Sequence, residues 1–472
     1  MEVRHYVVTL TTEGLVHIGT GEKMGKKDYF RSDGDTVAVI NPAKFANLLT
    51  PEQMETYCKF LEEPSRFGLE DFLSSDPTLK DKAKKSIAYQ CAGRLAKGHH
   101  NTNQYFEVAS CIKDVYGRPY VPGSSVKGML RTALLNSIIL ADRSRYEVLY
   151  DRSKVRNASK EAGQGIEHKA FFQAGLTEQF QNAVNDIMRY ISVSDSEPLS
   201  SADLVFAKKY DKFAKTDNGQ HKRNRSRFSN TASSEGNEIS LYRECIKPGT
   251  RITFSLDIDA RIDEHLPFGF GSLDAKKLQA VLQENADLYK LCFLASFDAD
   301  ADGEEGGQGK AGRTDGRCSY VYQGGPFKGA RCRNTAVEGT AYCHRHQDKA
   351  GLAGKSVEAT CYLGGGVDFD SKTVVNALFE DPFDRLNETA HILYRQFPTK
   401  IDRGKHPGLW RDVEEAGFVP KPMNTKYRKT KDDHRHWRDG ELGVSPHTLK
   451  YGKVGNRRYL MGKCKIRIEE RA

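Results

Sequence analysis

Pro122-Gly123-Ser124-Ser125-Val126-Lys127-Gly128-Met129-Leu130-Arg131 gathers side chains suited to holding a phosphate. Pro122-Gly123 is a turn, and Ser124 or Ser125 is a suitable N-cap for a helix running to about Leu140. A helix start leaves N–H groups unpaired and carries the positive end of the dipole, so it stabilises an anion. Lys127 and Arg131 are four residues apart and project from the same side of that helix. Two hydroxyls, an ammonium and a guanidinium at such a place suit a phosphate backbone. An ordinary capped helix with two solvated cations has the same pattern.

Cys318, Cys332, Cys343 and His346 follow the spacing Cys-x13-Cys-x10-Cys-x2-His within 29 positions. Three thiolates and one imidazole complete a tetrahedral zinc shell around which a short segment can fold. His344 competes for the fourth place, although the two-residue gap to His346 is the more usual geometry. One structural zinc is expected. Lys328, Arg331, Arg333 and Arg345 make the module basic, which suits nucleic-acid or protein docking.

Two glycine-rich stretches allow backbone to approach a ligand closely. Gly19 and Gly21 lie in Leu15-Val16-His17-Ile18-Gly19-Thr20-Gly21, and Gly364, Gly365 and Gly366 follow Cys361-Tyr362-Leu363. Consecutive glycines permit positive φ and a nest of bare N–H groups facing an anion. A flexible turn has the same composition. No Gly-Lys-Ser/Thr follows at the spacing of a Walker A loop. Ser371 and Lys372 then open a further helix, in the manner of the Ser124–Lys127 stretch.

His17 is a candidate general acid–base for RNA cleavage. No partner acid or base stands at a believable spacing, so a structural or RNA-contacting role is preferred. Asp195 reads as turn chemistry after a strand. Asp298 to Gly303 imitates the start of a calcium loop. Its twelfth position is Gly309 rather than glutamate, so an acidic linker is expected.

Strands are expected at 3–10, 35–40, 190–196, 251–260 and 459–468, with short extended pieces at 107–112 and 119–121. In 251–260, Phe254, Leu256 and Ile258 alternate with polar residues, so one face is core. Helices are expected at 42–49, over most of 51–97, at 125–140, at 167–188 and at 273–297. The basic run 221–227 reads as a loop that can fold onto RNA. Between 395 and 439, Trp410, Tyr427 and Trp437 are interleaved with cations, a composition able to stack bases.

The chain has 472 residues, enough for about two to three domains. Its net charge of +9, from 72 Lys+Arg against 63 Asp+Glu, suits a polyanionic partner. No apolar run approaches the roughly 18 residues of a membrane span, and the N-terminus lacks a signal-peptide core. A cytoplasmic protein with its ten cysteines reduced or metal-bound is expected.

Pro122-Gly123-Ser124-Ser125-x-Lys127-Gly128-x-Leu130-Arg131-Thr132-Ala133 resembles the motif of CRISPR-associated RAMP proteins. Leu15-x-His17-Ile18-Gly19-x-Gly21, Val193-Ser194-Asp195-Ser196, Tyr242-Arg243-Glu244, Pro248-Gly249-Thr250 and Pro446-x-Thr448-Leu449-Lys450 fit the same family. Within it, the similarity is to the subunits of type III-A (Csm) effector complexes that cap the 3′ end of the crRNA.

The resemblance implies an α+β fold of two tandem ferredoxin-like (RRM-like) RAMP domains, with helical insertions and a small zinc-binding insert. The domains would be 1–262 and 263–472, with the insert at 315–348. It implies a non-catalytic RNA-binding subunit that holds the 3′ part of the crRNA, caps the backbone filament and aids 3′-end maturation. Its partners would be crRNA, the other Csm subunits (especially the repeated backbone subunit) and host nucleases, with no membrane. Ser124, Ser125, Lys127, Arg131, His17, Gly19, Gly21, Gly364, Gly365, Gly366 and Lys372 would then contact RNA. A metal-independent repeat-cleaving endoribonuclease using His17, and the equivalent subunit of a type III-B complex, are the alternatives.

Overall fold

The computed structural model describes residues 2–63, 67–93, 107–150, 164–172, 183–214, 236–267, 269–297, 358–423 and 434–471. In chain order the strands are β1 (Val3–Thr12), β2 (Gly19–Met24), β3 (Tyr29–Arg31), β4 (Thr36–Ile40), β5 (Ile87–Ala92), β6 (Val108–Cys111), β7 (Ile191–Val193) and β8 (Leu204–Phe213). Then come β9 (Gly236–Ile246), β10 (Arg251–Asp259), β11 (Ala359–Tyr362), β12 (Lys400–Ile401), β13 (Lys421–Pro422), β14 (Thr448–Val454), β15 (Arg457–Leu460) and β16 (Lys463–Glu470).

β1 alternates with period two, burying Tyr6, Val8 and Leu10 on one face. Its neighbours match it in register: Val8 stands opposite Phe254 of β10 and Ile468 of β16. The resulting antiparallel sheet has the order β11-β16-β1-β10-β7. Two helices, Gly123–Ala141 and Ala275–Cys292, pack on each other and against strands of this sheet. Val126, Leu130, Ala133 and Leu134 form the expected apolar face, extended by Leu135, Ile138 and Ile139. Each of these valine, leucine and isoleucine side chains contributes about 1.5–3 kcal/mol by leaving water.

The larger sheet follows β2-β6-β9-β8-β5-β4-β3, with β14 joined to β8 and β15 to β14. Against its β3–β4 end sits a satellite core of Phe45, Tyr57, Leu69, Phe72 and Leu79, supplied largely by short helices. The helix Pro51–Glu62 starts with a capping box between Thr50 and Gln53.

Several expectations change. Residues 87–92, expected within a helical run, form β5, because Val37 to Val39 of β4 pair with them. The expected final strand 459–468 divides at Met461-Gly462, where Gly462 has φ +76° and its Cα faces the Leu363 carbonyl. Of 167–188, the helix covers Gln164–Phe171, and single turns follow from 183. Strands from either side of residue 262 meet in both sheets. β16 pairs directly with β1, and β14 with β8, so strands from the two halves share each layer. The insert 315–348, the acidic 298–309, the basic run 221–227 and Tyr427 lie outside the described residues. Trp437 is buried beside Tyr394, Ile401 and Val413, with Trp410 packed against them, so both serve a core rather than open stacking surfaces. Among the described residues, no helix is long and apolar enough to cross a membrane.

Candidate nucleic-acid interface

The chain leaves β1 at Thr12 and immediately enters the larger sheet. Leu15 and Val16 are fully buried and bridge to Met461 and Ile246, which fixes the position of the next residue, His17. His17 is 6% exposed, and its Nδ1 meets the Glu244 carbonyl at 2.6 Å. A carbonyl only accepts, so Nδ1 carries a proton. Burial lowers the His17 pKa and keeps it neutral, helped by the nearby charges of Arg243 and Lys113 against the opposing pull of that carbonyl.

The two glycine stretches meet on this histidine. The Gly365 N–H donates to the His17 carbonyl at 2.6 Å. A Cβ on Gly364 would stand 2.5 Å from the same carbonyl, and one on Gly19 would stand 2.8 Å from His17 Nε2. Gly364 and Gly366 have φ of +93° and +83°, which side chains rarely adopt. Gly21 also has positive φ but faces open space. Lys372 Nζ donates to the Gly364 carbonyl at 2.8 Å, so Lys372 closes the loop. Gly19, Thr20 and Gly21 are exposed on β2.

Beside this junction stands Arg243, half-buried, its Nη1 3.0 Å from where a Gly366 side chain would begin. Its guanidinium has no ion pair or hydrogen bond among the described residues. Its positive charge is felt by His17, Lys209 and Lys450, opposing protonation of each. Lys450 is held by Asp368 at 2.9 Å and Lys209 by Asp211 at 3.3 Å. Glu244 next to Arg243 is turned inward. Its carboxylate accepts from Tyr89 Oη at 2.5 Å, the Cys111 N–H at 2.8 Å and Lys113 Nζ at 2.5 Å. Arg243, Glu244 and Lys113 were not among the candidate residues. The only sequence signal for the first two was the Tyr242-Arg243-Glu244 triplet.

The Gly123–Ala141 helix differs from expectation in three ways. Pro122, not a serine, is the N-cap residue, and no side chain of its own caps the helix. Instead Asp195 reaches across, and the Gly123 N–H donates to its Oδ1 at 2.8 Å. Arg131 is held by Glu167 at 2.5 Å and Asp186 at 2.6 Å and lies over the Phe171 ring. A guanidinium held by two carboxylates is a strut between elements. Lys127 is different: it has no partner among the described residues, and partial burial lowers its pKa. Ser124 is exposed and Ser125 half-buried. Among the described residues no hydrogen bond or ion pair joins this helix start to the glycine junction. The candidate residues therefore form two groups, with His17, Gly19, Gly21, Gly364, Gly365, Gly366 and Lys372 in one and Ser124, Ser125 and Lys127 in the other.

A backbone-lined, electropositive junction with a buried neutral histidine is suited to gripping an anion. Among the described residues, the hydrogen-bond partner of the histidine ring is the Glu244 carbonyl rather than a carboxylate. A family model described as the RAMP superfamily matches residues 9–305, and the chain belongs to that superfamily. Proteins named "CRISPR system Cms protein Csm5" are similar to it. The one from Mycobacterium tuberculosis (strain H37Rv) is 28% identical over 272 residues, covering 54% of this chain and 67% of that protein. The one from Streptococcus thermophilus is 26% identical over 309 residues, covering 63% and 74%. A chain of a cryo-EM structure titled as a Csm–crRNA–target RNA ternary complex of a type III-A CRISPR-Cas system shares the fold. Its TM-score is 0.52 at 14% identity, over 98% of this chain and 100% of that chain.

Proposed function

We propose that the chain is an RNA-binding subunit of a type III-A CRISPR effector complex, working in the cytoplasm with crRNA and the other Csm subunits. It holds the 3′ part of the crRNA, caps the backbone filament and helps define the 3′ end, with host nucleases doing the cutting. The observation that carries this reading is the glycine junction around His17, with Arg243 beside it unpaired among the described residues. Gly19, Gly21 and Gly364 to Gly366 bring backbone to the RNA phosphates, while Arg243, Lys127 and the two serines supply charge and hydroxyls. Such contacts position a strand without reading its sequence. Arg131 supports the helix instead. The buried, neutral His17 favours a non-catalytic role over repeat cleavage.

The fold is read as ferredoxin-like in its smaller sheet. Without β11, the order β16-β1-β10-β7 is the 4-1-3-2 order of a βαββαβ unit whose helices are Gly123–Ala141 and Ala275–Cys292. The second such unit then draws on the larger sheet. Segment 315–348 carries one structural zinc on Cys318, Cys332, Cys343 and His346.

Salt titration of binding to a crRNA tests the phosphate assignment. For single strands, each lost phosphate contact reduces the slope of log K against log salt by about 0.7. Arg243→Ala should show that reduction for unrelated RNA sequences alike. An unchanged slope removes Arg243 from the interface.

A further inference from the structure

His436, Asp439 and His447 form a second polar cluster. Each offers one ligand atom, and these atoms all lie within 4.8 Å of one another. His436 Nδ1 is 2.9 Å from Asp439 Oδ2, and His447 Nδ1 is 2.7 Å from Asp439 Oδ1. Ser445 donates its hydroxyl to Oδ2 at 2.7 Å. Asp439 is fully buried, His436 is 6% exposed, and His447 is partly open to solvent.

A buried carboxylate needs a compensating positive charge. Among the described residues, no lysine or arginine pairs with Asp439; its partners are two imidazoles and a hydroxyl. The backbone adds a separate sign. Arg435, next to His436, is the one non-glycine with positive φ among the described residues, at +49°. Left-handed non-glycine residues are strained and gather at functional sites.

We propose that His436, Asp439 and His447 bind a divalent transition-metal ion of the zinc class. Two imidazoles and one carboxylate suit such an ion, with Ser445 orienting the carboxylate. The open side at His447 leaves a position for water. Tetrahedral bonds of about 2.0–2.1 Å set ligand atoms roughly 3.3 Å apart, so the two imidazole–carboxylate spacings of 2.9 and 2.7 Å widen by about half an ångström to admit the ion, and the three ligand atoms already lie within 4.8 Å of one another. This site is distinct from the expected cysteine site, and its ligands span 436–447 alone.

The test uses the full chain with Cys318→Ser and Cys343→Ser, which removes the thiolate site. The protein is stripped with chelator, desalted and titrated with cobalt(II). The expected result is about one equivalent bound, with visible d–d bands and no thiolate charge-transfer band, lost on adding His447→Gln. Absence of a band, or a band unaffected by His447→Gln, overturns the proposal. Should the cysteine variant not fold, His447→Gln alone in the otherwise native chain gives the same reading. Metal analysis should then show about one equivalent less zinc per chain, and an equal content contradicts the site.

Discussion

The Gly365 N–H and the His17 carbonyl, 2.6 Å apart, tie the last quarter of the chain to the segment between β1 and β2. One backbone hydrogen bond thus assembles two glycine stretches that are unrelated in sequence. Gly364 on one side and Gly19 on the other leave no room for a side chain.

Gly364→Ala and Gly21→Ala should therefore differ. Both residues have positive φ, which costs alanine about 1–2 kcal/mol. Only Gly364 also meets backbone, at 2.5 Å from the His17 carbonyl. Thermal unfolding should show a larger loss for Gly364→Ala, accompanied by weaker RNA binding. Equal losses would mean that the junction can open without consequence.

Lys127 and Arg131, alike in the sequence, should separate on substitution. Arg131→Ala breaks contacts with Glu167 and Asp186, both partly shielded, and should lower stability by about 1–3 kcal/mol. Lys127→Glu removes no contact among the described residues and should weaken RNA retention with a near-native melting temperature. Denaturant melts and filter binding on both variants check this. A destabilised Lys127→Glu with unchanged affinity would reverse the assignment.

His17 gives a pH signature. Its folded pKa lies below the ordinary 6.5, so between those values the unfolded chain binds more protons than the folded one. The stability it contributes is full above about pH 6.5 and is lost as the pH falls toward the folded value. His17→Asn should lose this acid-side decline. Comparing denaturant midpoints of both proteins from pH 7.5 to about 5 tests it, and parallel curves would show that His17 is not the group responsible.

Lys113 should matter more than its surface position suggests. Among the described residues it is the only full cation on the buried Glu244, at 2.5 Å. Lys113→Met leaves that carboxylate underpaired and should cost about 3–5 kcal/mol. Lys113→Met combined with Glu244→Gln should recover much of the loss. A single variant as stable as the parent would contradict this pairing.

Zinc content addresses the cysteine module. Freshly purified protein should hold zinc that Cys332→Ser releases. Protein without stoichiometric zinc would end that reading.

Much of the smaller sheet was legible because its strands and helices alternate simply. Ile252 to Ile258 show period two, and Val126 to Leu134 show helical spacing, so local pattern and burial agree. β5 was not legible, since the charged helix before it runs straight into Ile87 and only pairing with β4 makes it a strand. The sharing of sheets across residue 262 was also hidden, being a matter of which edges meet. At the site, glycines announced close approach but not what they approach. Whether Arg131 is free, and that Asp195 caps the helix from the loop after β7, depends on partners far along the chain. The His436–Asp439–His447 group was missed because seven residues separate Asp439 from His447, and the surrounding cations drew the reading toward RNA.

The most direct test mixes purified protein with end-labelled crRNA precursor, with and without EDTA, and runs each sample on native and denaturing gels. A shifted but uncut RNA, with the shift weakened by Arg243→Glu and Lys127→Glu, is the expected result. Discrete cleavage that survives EDTA and disappears in His17→Ala would contradict the account and make the chain a processing enzyme.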